Sequence, residues 1–170
     1  MNRRLAIGVG AIALGSVLMA SLVWGLRHAA LESSPILGHV APQLAIQPMS
    51  GEEVRVQGLY GKPVVLNFWA SWCGPCVDEA GVLSASSSAH SQVAFVGADT
   101  QDTPLGFRSF EGRHPHPYPS GPVVAGSDRS YGVAGLPATF FIDAHGVVVA
   151  SFSGPLDVPT LDHYIGLISR

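Results

Sequence analysis

Cys73, Cys76 and Glu79 follow one another at three-residue spacing, and the two cysteines are the only ones in a chain of 170 residues. Residues three apart on a helix share a face and lie close enough for sulfur bridging, so Trp72-Cys73-Gly74-Pro75-Cys76 can close and reopen a disulfide. Pro75 fits the first turn of a helix, where its missing N–H costs nothing, and this sets the helix start at Cys73. Unpaired N–H groups and the positive end of the helix dipole favour a thiolate there, so the Cys73 pKa is expected to fall below the free-thiol value. Cys73 is then the attacking sulfur. Cys76, one turn further in and with less solvent, is the thiol that resolves a mixed disulfide.

Other uses of a CxxC pair compete with this one. A structural zinc site needs four N or S ligands, and no second CxxC or HxxxH follows; the close pair His114 and His116 lies in a proline-rich stretch. Haem attachment requires His directly after the second cysteine, where this chain has Val77. A purely structural disulfide would close a loop too short to constrain the unfolded chain much. Reversible redox chemistry is favoured, with no metal and no cofactor.

The segment before the cysteines, Lys62 to Ala70, is apolar after its Gly-Lys-Pro turn except at Asn67 and reads as a buried strand. A helix follows from Pro75 to about His90. Gly81 and Ser84, Ser86, Ser87 and Ser88 weaken it, so its far end is expected to fray or stop early. Two short extended stretches between Leu44 and Val56 flank Met49-Ser50-Gly51-Glu52 as a hairpin. Gln92 to Ala98 reads as a strand and Thr103 to Gly112 as a helix. Arg113 to Pro122, with four prolines, cannot be helical, and an extended piece is expected only at Val123-Val124. After a turn or short helix around Asp128 to Tyr131, Leu136–Asp143 and Val147–Phe152 form a hairpin around Ala144-His145-Gly146. Pro155 to Ser169 is predicted to be an amphipathic helix with Leu161, Tyr164, Ile165 and Ile168 on one face. That order is α/β. Trp69 and Trp72 are expected to pack, with Trp72 also lining the groove at Cys73. His39, His90, His145 and His163 read as surface or loop residues.

Leu5 to Leu26 holds no charged side chain, a run of 22 residues, or about 33 Å of helix against a hydrocarbon core of about 30 Å. Arg3 and Arg4 precede it. The positive-inside rule places the N-terminus in the cytoplasm and the remainder outside. The alternative is a cleaved signal peptide, but the run is longer than such a core and no Ala-x-Ala site closes it. The expected organisation is an anchor over residues 1–30, a linker over 31–37 and one domain over 38–170. Without the anchor the nine basic residues fall to six while the twelve acidic ones remain, so no basic stripe exists to attract nucleic acid.

The chain resembles the thioredoxin superfamily, and within it the membrane-anchored extracytoplasmic TlpA, ResA and CcmG/DsbE group. The resemblance is carried by Gly61 to Cys76, then Glu79, Tyr131-Gly132-Val133 and Gly135 to Asp143, with an opening Gly38-His39-Val40-Ala41-Pro42. It implies a thioredoxin-like α/β fold, a central mixed sheet flanked by helices, with an N-terminal hairpin extension and one transmembrane helix. It implies a Cys73–Cys76 redox disulfide and a cis peptide bond at Pro137, aiming the Leu136 backbone at a substrate strand; a trans proline opening a strand is the ordinary alternative. Trp72, Gly74, Pro75, Leu136 and Pro137 are the expected substrate-binding residues. Asn67 departs from thioredoxin, which carries a buried Asp there, and an amide cannot take a proton from Cys76. Glu79 looks like the family's active-site glutamate, against the alternative of a solvated surface residue. Ala138 replaces the glutamate that follows the cis proline in some cytochrome-maturation members.

The implied activity is thiol–disulfide exchange on oxidised protein substrates, with an oxidised apocytochrome c cysteine pair as the leading substrate and a membrane thiol donor recharging the enzyme. Two alternatives remain open at this point: a general reductase or oxidant of exported proteins, and a non-catalytic binding or chaperone module.

Overall fold

The computed structural model describes residues 15–19, 21, 35–49 and 51–170. The chain divides into two units, Met1–Ser33 and Ser34–Arg170. In the first, the described residues are helical. Most of the run from Leu5 to Leu26 lies outside the described residues, and among those described no helix is long and apolar enough to cross a membrane.

The second unit is built around one strand. β3 (Val64–Trp69) is buried at every position, which is why it reads as apolar without alternation. Its side chains nevertheless alternate. Val64, Leu66 and Phe68 join a core with Leu44, Ile46, Tyr131, Phe140 and Val148 on one face. On the other, Val65 enters a core with helix residues Leu83, Leu161, Ile165 and Ile168, and Trp69 packs with both cysteines, Phe107 and Phe110.

Six strands flank or extend it: β1 (Ala45–Ile46), β2 (Val54–Arg55), β4 (Ala94–Asp99), β5 (Ser120–Ala125), β6 (Ala138–Ile142) and β7 (Val148–Ser153), in the order β2-β1-β5-β4-β3-β6-β7. The β3–β4 and β4–β5 pairs are parallel and the rest antiparallel. The expected early hairpin is β1–β2, and β6–β7 is the late one. The helices are α1 (Gly74–Ala89), α2 (Pro104–Arg113) and α3 (Val158–Ile168).

Three expectations are corrected. α1 does not stop early: Leu83 and Ser86 are buried, Ser87 and Ser88 hydroxyls bond the Ser84 carbonyl, and the His90 N–H closes the last turn on Ser86. Packing outweighs poor propensity. β5 is longer than Val123-Val124 and contains Pro122, which pairs with Asp99 at the end of the β4 ladder, while its carbonyl accepts from Gln47 N–H. α3 starts at Val158, not Pro155, because Asp157 caps it by accepting from Thr160 N–H at 2.9 Å.

Two glycines set opposite demands. A Cβ on Gly81 would meet nothing within 4 Å, whereas one on Gly126, at φ +82°, would overlap the Gln43 carbonyl oxygen. Gly81→Ala is expected to stabilise the cysteine-bearing helix by about 0.5–1 kcal/mol. Gly126→Ala should destabilise the fold; the denaturant midpoints of the two variants are expected to move in opposite directions.

Candidate functional site

The redox pair closes at the junction of β3 and α1. Cys73 and Cys76 form a disulfide, with Cα atoms 5.3 Å apart. Cys73 is the helix N-cap: its Sγ accepts from Cys76 N–H at 3.3 Å, and its carbonyl accepts from Cys76 and Val77 N–H groups. The sulfur thus accepts from a first-turn helix N–H, the setting that favours a thiolate once the bond is reduced. Burial does not rank the two sulfurs, since Cys73 is 4% and Cys76 3% exposed in the oxidised form. The lesser exposure expected for Cys76 is therefore not a feature of this state.

Beneath them is a buried polar centre. Glu79 is 1% exposed, which excludes the solvated surface glutamate. Asn67 Nδ2 donates to Glu79 Oε1 at 2.8 Å and to Thr139 Oγ1 at 3.0 Å, and Leu156 N–H donates to Glu79 Oε2 at 3.0 Å. Burial raises the Glu79 pKa to about 7, against the lowering effect of the Leu156 and Asn67 donors. A carboxyl titrating there can both accept and release a proton near neutrality. Its three-residue spacing puts it on the helix face of Cys76.

The Leu136–Pro137 bond is cis, and Leu136 packs against the cluster holding both cysteines. The Pro137 carbonyl accepts from Gly154 N–H, fixing the start of β6. Of the two tryptophans expected to pack, only Trp69 does so. Trp72 is 62% exposed, and its indole N–H donates to the Gln101 carbonyl at 3.0 Å. Gly74 and Pro75 form the first turn of α1.

Sequence reasoning missed several partners. Thr139 and the Leu156 N–H complete the Glu79 centre, 72 residues from Asn67 and 77 from Glu79 respectively. Asp102 accepts from Ser71, two residues before Cys73, across 31 residues. His116 is not simply part of a proline-rich loop: it pairs with Glu111 and stacks near Trp69 and Phe110. Among the described residues no three His, Cys, Asp or Glu side chains converge as metal ligands. A cavity of about 470 Å³ lies between Met49, Glu111, His116 and Tyr118, and neither cysteine lines it.

A CxxC disulfide at a strand-to-helix junction of a mixed sheet, with Leu136 of a cis Leu136–Pro137 bond packed on the cysteine cluster, defines a thioredoxin-like thiol–disulfide oxidoreductase. The chain belongs to the Redoxin family, whose sequence model matches residues 37–165. It is 29% identical over 176 residues to the thiol-disulfide oxidoreductase ResA of Bacillus subtilis, covering 98% of this chain and 94% of that protein. It is also 29% identical over 126 residues to the thiol:disulfide interchange protein HelX of Rhodobacter capsulatus, covering 71% and 70%. Among solved structures, a protein described as thiol:disulfide interchange protein DsbE from Chlorobium tepidum superposes with a TM-score of 0.71 at 26% identity, over 78% of this chain and 96% of that one. A secreted Mycobacterium tuberculosis disulfide oxidoreductase, homologous to DsbE of E. coli, gives 0.61 at 27% identity, over 72% and 94%.

Glu79 also sets a pH dependence of stability. The native carboxyl holds its proton up to about pH 7, whereas the ordinary value is 4.5. Within that window the native state binds more protons than the unfolded chain, so stability is greatest at the acid end and falls as pH rises through 7. The drop attributable to Glu79 is on the order of 3 kcal/mol. Denaturant midpoints of wild type and Glu79→Gln across this range are expected to converge in the variant's favour as pH rises, since Gln carries no charge to bury; parallel curves would exclude the raised pKa.

Proposed function

We propose that this chain is a membrane-anchored reductant working outside the cytoplasmic membrane, acting on the oxidised haem-site cysteine pair of an apocytochrome c. The observation that carries it is the Cys73–Gly74–Pro75–Cys76 disulfide at the start of α1, with Leu136 of the cis Leu136–Pro137 bond packed on the cysteine cluster. In the reduced enzyme, the Cys73 thiolate attacks one sulfur of the substrate disulfide and the other leaves as a thiolate. A mixed disulfide results. Glu79 takes the Cys76 proton, the Cys76 thiolate attacks Cys73 Sγ, and the second substrate sulfur leaves. Two electrons have passed to the substrate, and the enzyme ends with the Cys73–Cys76 bond seen here.

Trp72, Gly74, Pro75, Leu136 and Pro137 form the docking edge in this reading. Leu136 supports it through its packing on the cysteine cluster, and the exposed Trp72 offers an aromatic surface for a protein partner. A Gly-Pro dipeptide, as in thioredoxin at about −270 mV, favours reduction over oxidation. The uncharged run from Leu5 to Leu26 behind Arg3 and Arg4 supports the anchor and its orientation, and the secreted M. tuberculosis relative supports an extracytoplasmic setting. A reductant in an oxidising compartment needs recharging, which a membrane thiol donor supplies.

A second reading, a general reductase or oxidant of exported proteins, is favoured by one residue: Ala138 stands where some cytochrome-maturation members have glutamate. Cys76→Ser, expressed full length in membranes, is expected to accumulate a mixed disulfide between Cys73 and apocytochrome c. Capture of varied exported proteins without it would select the second reading, and a reduction potential well above that of thioredoxin would reverse the direction of electron flow.

A further inference from the structure

Asp99, the last residue of β4, is 5% exposed, and its Oδ1 has no hydrogen-bond partner. Asp102, three residues on, is the opposite case. It accepts from Ser71 N–H at 2.6 Å, the Ser71 hydroxyl at 3.0 Å and Thr103 N–H at 2.6 Å. The two carboxyls, three residues apart in the turn that leaves β4, bear on one another's ionisation. Carboxyl oxygens bond one another only if one carries a proton. The donors decide which: three stabilise an anion on Asp102, and none does so on Asp99.

The remaining surroundings agree. Burial, the negative Asp102, the bond to it and then Glu111 push Asp99 up to about 8. Asp102 is held below the ordinary range: its own burial opposes this, but donation from Ser71, Thr103 and Asp99 prevails. Glu111 is itself paired with His116. On the neighbouring strands the register partners of Asp99 are Trp69 and Pro122, neither of which titrates here.

What Asp102 grips is the approach to the redox pair. Ser71 immediately precedes Trp72-Cys73, and the Gln101 carbonyl in the same turn holds the Trp72 indole. We propose that Asp99 and Asp102 are a proton-sharing pair in which neutral Asp99 donates to Asp102, and that this pair positions Ser71, Trp72 and through them Cys73 for attack. Both are positioning residues, and the role rests on Cys73 being the attacking sulfur. When Asp99 ionises, two adjacent anions replace one bonded pair and the grip on Ser71 loosens.

The test follows reduced full-length enzyme reacting with oxidised glutathione from about pH 6 to about pH 9.5. Asp99→Ala is expected to slow exchange about tenfold near neutrality, the scale of a modest misplacement of a reacting group. Asp99→Asn, which keeps a neutral donor, should recover most of that loss, and its rate relative to wild type should climb as pH passes about 8. Separately, the carbon-13 carboxyl resonance of Asp99 in the wild-type protein should titrate near 8. That measurement needs no variant to fold and is independent of which sulfur attacks. An Asp99 carboxyl already ionised at pH 6, or an Asp99→Asn profile parallel to wild type, overturns the proposal. If the resonance titrates as expected but neither variant changes the rate, the pair exists without positioning Cys73, which also overturns it.

Discussion

A strand covered on both faces has no water for a polar side chain, so a polar group on it is costly unless another element supplies its partner. β3 is such a strand; its Trp69 indole N–H is buried without a partner, and Asn67 is its hydrogen-bonded polar side chain. Its amide finds a carboxylate on α1 and a hydroxyl on β6. The requirement acts in both directions. Glu79 could not be buried on α1 without Asn67 and the Leu156 N–H, and losing either would leave an unsatisfied buried acceptor, at about 1–3 kcal/mol or more for a charged group. The alternation of β3 then places Trp69 two residues on, on the same face, as the floor of the cysteine cluster. Glu79 and the sulfurs are therefore positioned by one strand.

Above this floor the redox pair is mounted from two sides. α1 supplies the helix end whose N–H groups face Cys73. The turn after β4 supplies a second hold, through Asp102 on Ser71 and the Gln101 carbonyl on Trp72. Gln101 adopts a left-handed φ of 55° and its side chain donates to Asp128 at 2.6 Å, tying the turn to the short helix at Asp128–Tyr131. Such a conformation persists in a non-glycine residue where the surroundings fix it. The cysteines thus sit between groups held from β3, from the β4 turn and from the cis-proline segment.

Much of this was legible before the fold was seen, and the parts that were not share a cause. The CxxC spacing, the apolar β3 run, the hairpins and the start of α1 at Pro75 are local signals, carried by residues a few positions apart. Asn67 and Glu79 each stood out, one as an interruption in an apolar run and the other by its spacing from Cys76. That they bond each other was not readable, because the contact is made across a sheet and a helix. Asp102 and Thr139 carry no local pattern at all; each acquires its meaning from a neighbour tens of residues away. Asp99 and His116 have partners close in the chain, Asp102 and Glu111, but only burial makes those pairs matter. Propensity misjudged the far end of α1 and the strand around Pro122 for the same reason, since tertiary packing and ladder position decide them. Trp72 went the other way: an aromatic residue suggests packing, and the fold leaves it facing solvent.

The donor that Leu156 gives to Glu79 belongs to the backbone. Residue identity at 156 is therefore irrelevant to that bond, and every amino acid but proline would preserve it. Comparison among relatives can detect a retained glutamate or asparagine but has no means of detecting a retained N–H. What it can detect is the spacing from Gly154 to the Asp157 cap, because that fixes where α3 begins and which amide is left over to point inward. In this protein an insertion or deletion in those four residues would reach the redox centre more directly than a change of any side chain among them.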